Sequence, residues 1–249
     1  MTEVVYTRID AEMPLPEMPG HLNGLSSEKL ERYHSLHRQD DRKRMLAGDL
    51  VLRTTLAKKL RCDPSSVTFL SQRHGKPILA GIKGIHFNLS HSGNYAVAVI
   101  SSSEAGIDIE EIRTLKEPGK IAEVFMSEKE FACYSNLPEE LRQKWFYRIW
   151  TAKESYIKQT GNGIFEGLKS VTIDFSGPRI LAYKNNKPLS ALFFHEIDID
   201  PGYCAFVCSE DQTCSDPAGF HLKNELHKEK GMNFFTTQVI GDVVRSSII

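Results

Sequence analysis

The sequence predicts an α+β fold made of two similar α/β halves, related by a pseudo-twofold axis, with a ligand site in the groove between them. A helix followed by several short strands occurs twice in the same order, and a small polar linker, SSSEAG, separates the two sets. Short sequence matches also keep their order in both sets: Val67-Thr68 with Val171-Thr172, Lys76-Pro77 with Lys187-Pro188, and Tyr95-Ala96-Val97 with Tyr203-Cys204-Ala205. Ordered matches indicate an internal duplication. The groove between duplicated halves is a usual place for a ligand.

The repeat divides the chain into two halves and a tail. Residues 1–104 form the first half, 105–210 form the second, and 211–249 have no counterpart in the repeat. The tail is first polar and then apolar near NFFTTQVIGDVV. Two alternatives stay open for it, a segment without fixed structure and a segment that docks as one extra element.

The first half is predicted to contain a long helix and then strands. The helix covers residues 40–60, because Leu46, Leu50, Ala57 and Leu60 fall on one apolar stripe at helical spacing. β-branched residues and turn signals follow it. They predict strands at 66–70, 75–79, 86–90 and 94–100.

The second half repeats this order. A helix is predicted over roughly 140–160, where Trp145, Ile149, Ala152 and Tyr156 share an apolar stripe. The strands predicted after it lie at 170–174, 186–194 and 201–208.

Composition and charge exclude several classes of protein. The net charge is −1 and 25% of residues are charged, so no nucleic acid or anionic membrane is expected as a partner. No apolar run is long enough to cross a bilayer, and the stretch MTEVVYTRIDAEMPLPEMPG lacks the features of a signal peptide. Five cysteines without a Cys-x-x-Cys favour reduced structural thiols in a cytoplasmic protein over a zinc site.

Two acids in the segment GIDIEEI are candidate metal ligands. Asp108 and Glu110 share one face of the predicted strand, while Ile107 and Ile109 take the other. Their Cα atoms are expected to lie about 6.6 Å apart, so the side chains can converge on one hard cation, Mg²⁺ or Mn²⁺. A polar strand face turned to water is the alternative. Glu111 is expected to be solvent-exposed.

The long second helix offers a third acid and a lysine. Glu154 and Lys158 lie away from its apolar stripe, and a plain surface ion pair between them is one interpretation. The crowding of Trp145, Phe146 and Trp150 around them instead predicts that much of this helix is covered. The acid and the lysine then line a cleft, where they can meet a metal and an anion.

The first half supplies cations and small polar groups. Solvated helix faces and a plain turn are the alternatives for its cations Lys29, Arg32, Arg44 and Lys76. The segment HFNLSHSGNYA collects hydroxyls and a histidine, including Ser90 and His91, which suit phosphate oxygens. A glycine turn with a structural histidine is the alternative there. No Walker-type motif occurs.

Four motifs in order resemble one family. GKP (75–77), FNLSHSG (87–93), GIDIE (106–110) and WTAKESYIKQTGNG (150–163) are similar to the surfactin-synthetase-activating (Sfp) type of 4′-phosphopantetheinyl transferase, over about residues 25–208. The resemblance implies transfer of the phosphopantetheine arm of coenzyme A to a serine of an apo acyl or peptidyl carrier protein. Adenosine 3′,5′-bisphosphate is then released.

The resemblance also implies roles for individual residues. Mg²⁺, or Mn²⁺, is expected on Asp108, Glu110 and Glu154. Phosphate oxygens are expected to meet His91 and Lys158, which with Glu154 form the catalytic set. The nucleotide is expected to meet Lys76 and Ser90, and its 3′-phosphate Lys29, Arg32 and Arg44. The chain reads Lys29-x-x-Arg32 where relatives commonly have two lysines, and Ile109 stands where some relatives are polar.

A docking surface for the carrier is expected in residues 115–137. This segment offers Ile121, Val124, Phe125 and Met126, and packing of these residues into the core is the open alternative. A monomer is expected, because the duplicated halves can form a complete site within one chain. Fatty-acid, polyketide and peptide synthetase carriers all stay open.

Two other functions stay open at this point. A metal-dependent phosphohydrolase could use the same three acids on another phosphoester. A non-catalytic protein could bind coenzyme A or a carrier without turnover.

Overall fold

The computed structural model describes residues 1–9, 25–71, 76–162 and 167–220. The helices are α1 (Ser27–Ser35), α2 (Gln39–Leu60), α3 (Pro118–Phe125), α4 (Glu128–Asn136) and α5 (Glu139–Thr160). The strands of the first half are β1 (Glu3–Arg8), β2 (Phe69–Ser71), β3 (Pro77–Leu79), β4 (His86–Ser92) and β5 (Tyr95–Ser101). The later strands are β6 (Ala105–Glu111), β7 (Val171–Asp174), β8 (Leu181–Lys184), β9 (Lys187–Pro188), β10 (Phe193–Glu196), β11 (Tyr203–Ser209) and β12 (Ala218–Gly219).

The two halves have the same sheet topology. In the first half the strand order is β1-β5-β4, and in the second it is β6-β11-β10, with antiparallel pairing throughout. A long helix, α2 or α5, follows the first strand of each set, and a small separate sheet comes next in each half. The predicted α+β fold with two similar halves is therefore confirmed.

Both long helices form where the apolar stripes predict them. In α2, Leu46, Leu50 and Leu56 are buried against apolar residues of β4 and β5. In α5, Ala152 and Tyr156 pack with residues of β7 and β11. Each helix thus covers one face of the sheet of its own half.

Several strands differ from their predicted bounds. The predicted strand 186–194 is two strands, β9 and β10, separated by a turn. The segment 66–70 begins with a short 3-10 turn, and the strand starts only at Phe69. The sequence did not predict β1, which is placed by pairing with β5, nor β8.

The edges of the two sheets meet along β4 and β6. The backbone N–H of Ile107 donates to Oδ1 of the Asn88 side chain at 3.1 Å, so side chains of one half bind the backbone of the other. This contact line is the boundary between the halves, where the sequence predicts the ligand site.

The first part of the tail docks as an edge strand. β12 pairs in parallel with β1, and the N–H of Phe220 donates to the carbonyl of Tyr6 at 2.7 Å. Residues 221–249, with the apolar part of the tail, lie outside the described residues. All five cysteines are free thiols. Among the described helices, none is long and apolar enough to span a membrane.

Candidate active site between the two halves

Two carboxylates of β6 face the edge of β4. Asp108 is 4% exposed and Glu110 is partly buried. The hydroxyl of Ser90 donates to Asp108 Oδ1 at 2.9 Å, and that of Ser92 donates to Glu110 Oε2 at 2.8 Å. Both acids therefore share one face of the strand, as the alternation predicts.

Lys158 joins this pair from α5. Its ammonium lies 2.6 Å from Asp108 Oδ1 and donates to the Ser90 hydroxyl at 2.9 Å. The surface ion pair with Glu154 that the sequence allowed is not its closest contact. Lys158 instead holds one oxygen of a buried carboxylate.

Gly106 allows α5 to lie this close to β6. A Cβ at this position would be 2.1 Å from the carbonyl oxygen of Ser155 and 2.3 Å from the amide nitrogen of Gln159. Any side chain would collide with helix backbone, which cannot move aside on its own. The glycine that opens GIDIE therefore sets the distance between the helix and the strand.

Glu154 of α5 is near enough to Asp108 and Glu110 for their charges to act on it. Burial raises the pKa of Glu154, the charge of Asp108 raises it further, and Lys158 opposes the shift. Burial and Asp108 also raise the pKa of Glu110, against hydrogen bonds from Ser92 and Trp150. Three neighbouring carboxylates with one lysine leave an excess of negative charge in a partly desolvated site.

The donor set fits a hard divalent cation. In the described part of the chain, no group of three His, Cys, Asp or Glu side chains is close enough to be a metal site as it stands. However, Oδ2 of Asp108 is buried and has no hydrogen-bond partner. Such an atom is costly to bury unless a ligand satisfies it. Carboxylate oxygens favour Mg²⁺ or Mn²⁺ over softer metals.

Basic side chains surround His91, near the end of β4. The His91 side chain is exposed, yet partial desolvation lowers its pKa, and the charges of Lys158, Arg44 and Arg32 lower it further. Arg44 is held by two contacts: it pairs with Asp41 at 2.5 Å and donates to the carbonyl of Gly93 at 3.0 Å. Four residues predicted to contact phosphate therefore lie near one another: His91, Lys158, Arg44 and Arg32.

Two other predicted ligands have partners within the protein. Lys29 lies 2.5 Å from Asp49, which also binds Arg53, and its ammonium stands over the ring of Phe69. These contacts do not place Lys29 beside Arg44 and His91, the other proposed phosphate-binding residues. Its role at the 3′-phosphate therefore stays a prediction.

Lys76 ties the two halves together. Its ammonium lies 2.6 Å from Glu104 and donates to the carbonyl of Gln159 at 2.9 Å, near the C-terminus of α5. A positive charge is favourable at that end of a helix. Its nucleotide contact, like that of the buried Ser90, stays a prediction.

Asn88 and Ser92 belong to the polar segment that the sequence assigned to phosphate oxygens, but their contacts are with β6: Asn88 binds the backbone of Ile107, and Ser92 binds the carboxylate of Glu110. Both follow the same alternation as Ser90, which is the signal that could have identified this role. Glu111, expected in solvent, is partly buried, with a side chain 32% exposed and ion-paired to Arg113.

The expected docking segment is partly core and partly surface. Phe125 and Met126 are 2% and 1% exposed, so they belong to the core. Ile121 and Val124 of α3 are 42% and 74% exposed. Of these four apolar residues, Ile121 and Val124 are the two that are exposed enough to contact a partner.

Comparison with known proteins adds to this geometry. A family model described as the 4′-phosphopantetheinyl transferase superfamily matches residues 104–208, and one described as 4′-phosphopantetheinyl transferase, N-terminal, matches residues 16–104.

Individual relatives are similar over most of their length. The 4′-phosphopantetheinyl transferase Sfp of Bacillus subtilis strain 168 is 28% identical over 201 residues, which span 81% of this chain and 89% of that protein. A further Bacillus subtilis 4′-phosphopantetheinyl transferase is 30% identical over 220 residues, 88% of this chain and 96% of the relative. The 4′-phosphopantetheinyl transferase HetI of Nostoc sp. is 36% identical over 166 residues, 65% and 70% of the two chains.

Proposed function

The chain belongs to the 4′-phosphopantetheinyl transferase superfamily, and we propose that it transfers the phosphopantetheine arm of coenzyme A to a serine of an apo acyl or peptidyl carrier protein. The reaction is Mg²⁺-dependent and releases adenosine 3′,5′-bisphosphate. The observation that carries the proposal is the three acids Asp108, Glu110 and Glu154 beside His91 and the cations Lys158 and Arg44, where the two halves meet. Negative and positive subsites side by side suit a pyrophosphate bound with its cation.

The transfer is a substitution at phosphorus. The serine oxygen of the carrier attacks the phosphorus that bears the pantetheine, and the bond from that phosphorus to the bridging oxygen breaks. The leaving group is the phosphate of adenosine 3′,5′-bisphosphate. Such reactions depend on alignment and on neutralisation of charge around the phosphoryl oxygens.

Asp108, Glu110 and Glu154 would hold Mg²⁺, and Mn²⁺ has the same ligand preference. The ion would neutralise pyrophosphate charge as a Lewis acid. The buried, unpartnered Oδ2 of Asp108 supports this assignment.

Glu154 is the proposed general base. Burial and the charges of Asp108 and Glu110 raise the pKa of Glu154 from its ordinary value, against Lys158, which strengthens it as a proton acceptor. The proton of the attacking serine goes to the Glu154 carboxylate, directly or through one water. Lys158 and His91 would contact the phosphate oxygens during the attack.

The nucleotide would extend over the first half. The positive charges of Arg32 and Arg44 both lower the pKa of His91, so both guanidinium groups lie near that side chain and offer a site for the 3′-phosphate. Lys29, Lys76 and Ser90 are the remaining proposed contacts.

The carrier would dock on α3. Ile121 and Val124 are exposed there, and α3 is fixed to the catalytic helix by the fully buried Lys153, which donates to the carbonyl of Phe125 at 2.9 Å. Lys153 also pairs with the buried Glu130 at 2.6 Å. A carrier helix docked on α3 would thus be held beside α5, which bears the proposed base. The enzyme is proposed to act as a cytoplasmic monomer.

The test follows both products in one mixture of the protein, coenzyme A, Mg²⁺ and an apo carrier. Adenosine 3′,5′-bisphosphate and holo carrier should appear in equal amounts, and neither should form without the carrier. Nucleotide release without carrier modification would indicate a phosphohydrolase instead. Binding of coenzyme A without any product would indicate a non-catalytic protein.

A further inference from the structure

The hydroxyl of Ser92 contacts two neighbouring residues of β6. It donates to Oε2 of Glu110 at 2.8 Å and accepts the backbone N–H of Glu111 at 3.1 Å. Ser92 belongs to the first half of the chain, whereas both of its partners belong to the second.

These two contacts fix the direction of the serine proton. A hydroxyl has one proton to donate and lone pairs to accept. Because the Glu111 amide occupies the accepting side, the proton points to the carboxylate of Glu110. The strand amide is part of the backbone, so the orientation of the hydroxyl follows the position of β6.

Ser92 is the last member of a series on β4. Asn88, Ser90 and Ser92 alternate along the strand and contact Ile107, Asp108 and Glu110 in turn. The first contact holds the backbone, while the other two hold carboxylates. The first half of the chain thus orients acids that the second half supplies.

We propose that Ser92 is a positioning residue that orients the Glu110 carboxylate for the metal. The inference rests on the proposed function, because it assumes that Glu110 is a metal ligand. Ser92 would act through Glu110, and not by binding the metal or the substrate itself. Groups that hydrogen-bond to metal ligands typically contribute about 10- to 100-fold in metal affinity.

The test measures metal binding directly. Mn²⁺ binding is titrated by electron paramagnetic resonance in the presence of coenzyme A, for wild type, Ser92→Ala and Ser92→Thr. Ser92→Ala should weaken Mn²⁺ binding by about tenfold or more. Ser92→Thr keeps the hydroxyl and should bind Mn²⁺ within about threefold of wild type.

Ser101→Ala is the matched control. Ser101 lies at the far end of the same hairpin, pairing with His86, while Ser92 pairs with Tyr95. Its hydroxyl also donates to a carboxylate, that of Asp211, at 2.9 Å. The control removes the same kind of hydrogen bond but leaves Asp108, Glu110 and Glu154 unchanged. It should therefore lower the melting temperature and leave Mn²⁺ affinity unchanged.

The outcomes separate this inference from the proposed function. Equal Mn²⁺ affinity in wild type and Ser92→Ala, or equal weakening in Ser92→Ala and Ser101→Ala, overturns the role of Ser92 alone. A wild-type protein that binds no Mn²⁺ overturns both the role of Ser92 and the proposed metal site.

Discussion

The ammonium of Lys158 lies 2.6 Å from Oδ1 of Asp108, a carboxylate whose side chain is 5% exposed, and this ion pair joins α5 to β6. Removing the lysine leaves a buried carboxylate without its charged partner. Breaking one side of such a pair costs more than removing both.

Lys158→Ala should therefore be less stable than wild type by about 2 kcal/mol. The double variant Lys158→Ala/Asp108→Asn should recover part of this loss, since the unpaired charge is gone. Denaturant unfolding of both single variants and the double variant measures the coupling. Simply additive losses would contradict the pairing.

Gly106→Ala should destabilise the protein strongly, by about 3 kcal/mol or more, because its methyl group collides with the backbone of α5. Gly119→Ala is the control, since nothing lies within 4 Å of a Cβ there. That change, at a helical position, should be neutral or stabilising by about 0.5–1 kcal/mol. Thermal unfolding compares the two. Equal stability of both variants would show that α5 can lie farther from β6 than described.

Val124→Asp should weaken carrier docking. Val124 is 74% exposed on α3, and a charge there opposes an apolar contact with a partner. The KM for the carrier should rise about tenfold, equivalent to 1.4 kcal/mol, with unchanged coenzyme A affinity. Leu141→Asp is the control, because Leu141 is 52% exposed at the start of α5. A similar rise in both variants, or none in Val124→Asp, would place the carrier elsewhere.

His91 should take up a proton when nucleotide binds. Desolvation and nearby cations lower its pKa below the ordinary 6.5, so it is neutral in the free enzyme at neutral pH. A bound phosphate raises the pKa of His91. The affinity for adenosine 3′,5′-bisphosphate should therefore increase as pH falls from neutral toward the pKa of His91 in the free protein.

Calorimetry at about pH 7.5 and about pH 6 measures the effect on wild type and His91→Gln. The phosphates of the nucleotide also titrate between these two pH values. His91→Gln binds the same nucleotide without the imidazole, so the difference between the two proteins isolates the contribution of His91. Wild type should gain severalfold in affinity relative to His91→Gln at the lower pH. Parallel pH profiles would contradict a phosphate contact by His91.

Periodicity predicted the features of the site that depend on one element. The stripes of α2 and α5 and the shared face of Asp108 and Glu110 follow from helical and strand geometry, and the structure confirms them. The duplication predicted the two sheets, because a repeat in sequence implies a repeat in topology.

Relations between distant segments could not be predicted in the same way. The pairing of Lys158 with Asp108 depends on how closely α5 approaches β6, which Gly106 sets through contacts across the fold. The burial of Phe125 depends on its ring contacts with Phe146 and Trp150 of α5. Local pattern alone left it on either face of α3.

The most direct test of the account is the intact mass of several apo carrier proteins after incubation with this protein, coenzyme A and Mg²⁺. At least one carrier should gain the mass of one phosphopantetheine arm. The gain should disappear with EDTA and with Glu154→Gln, while Glu154→Gln still binds coenzyme A. No mass gain on any acyl or peptidyl carrier, or full modification by Glu154→Gln, would contradict it.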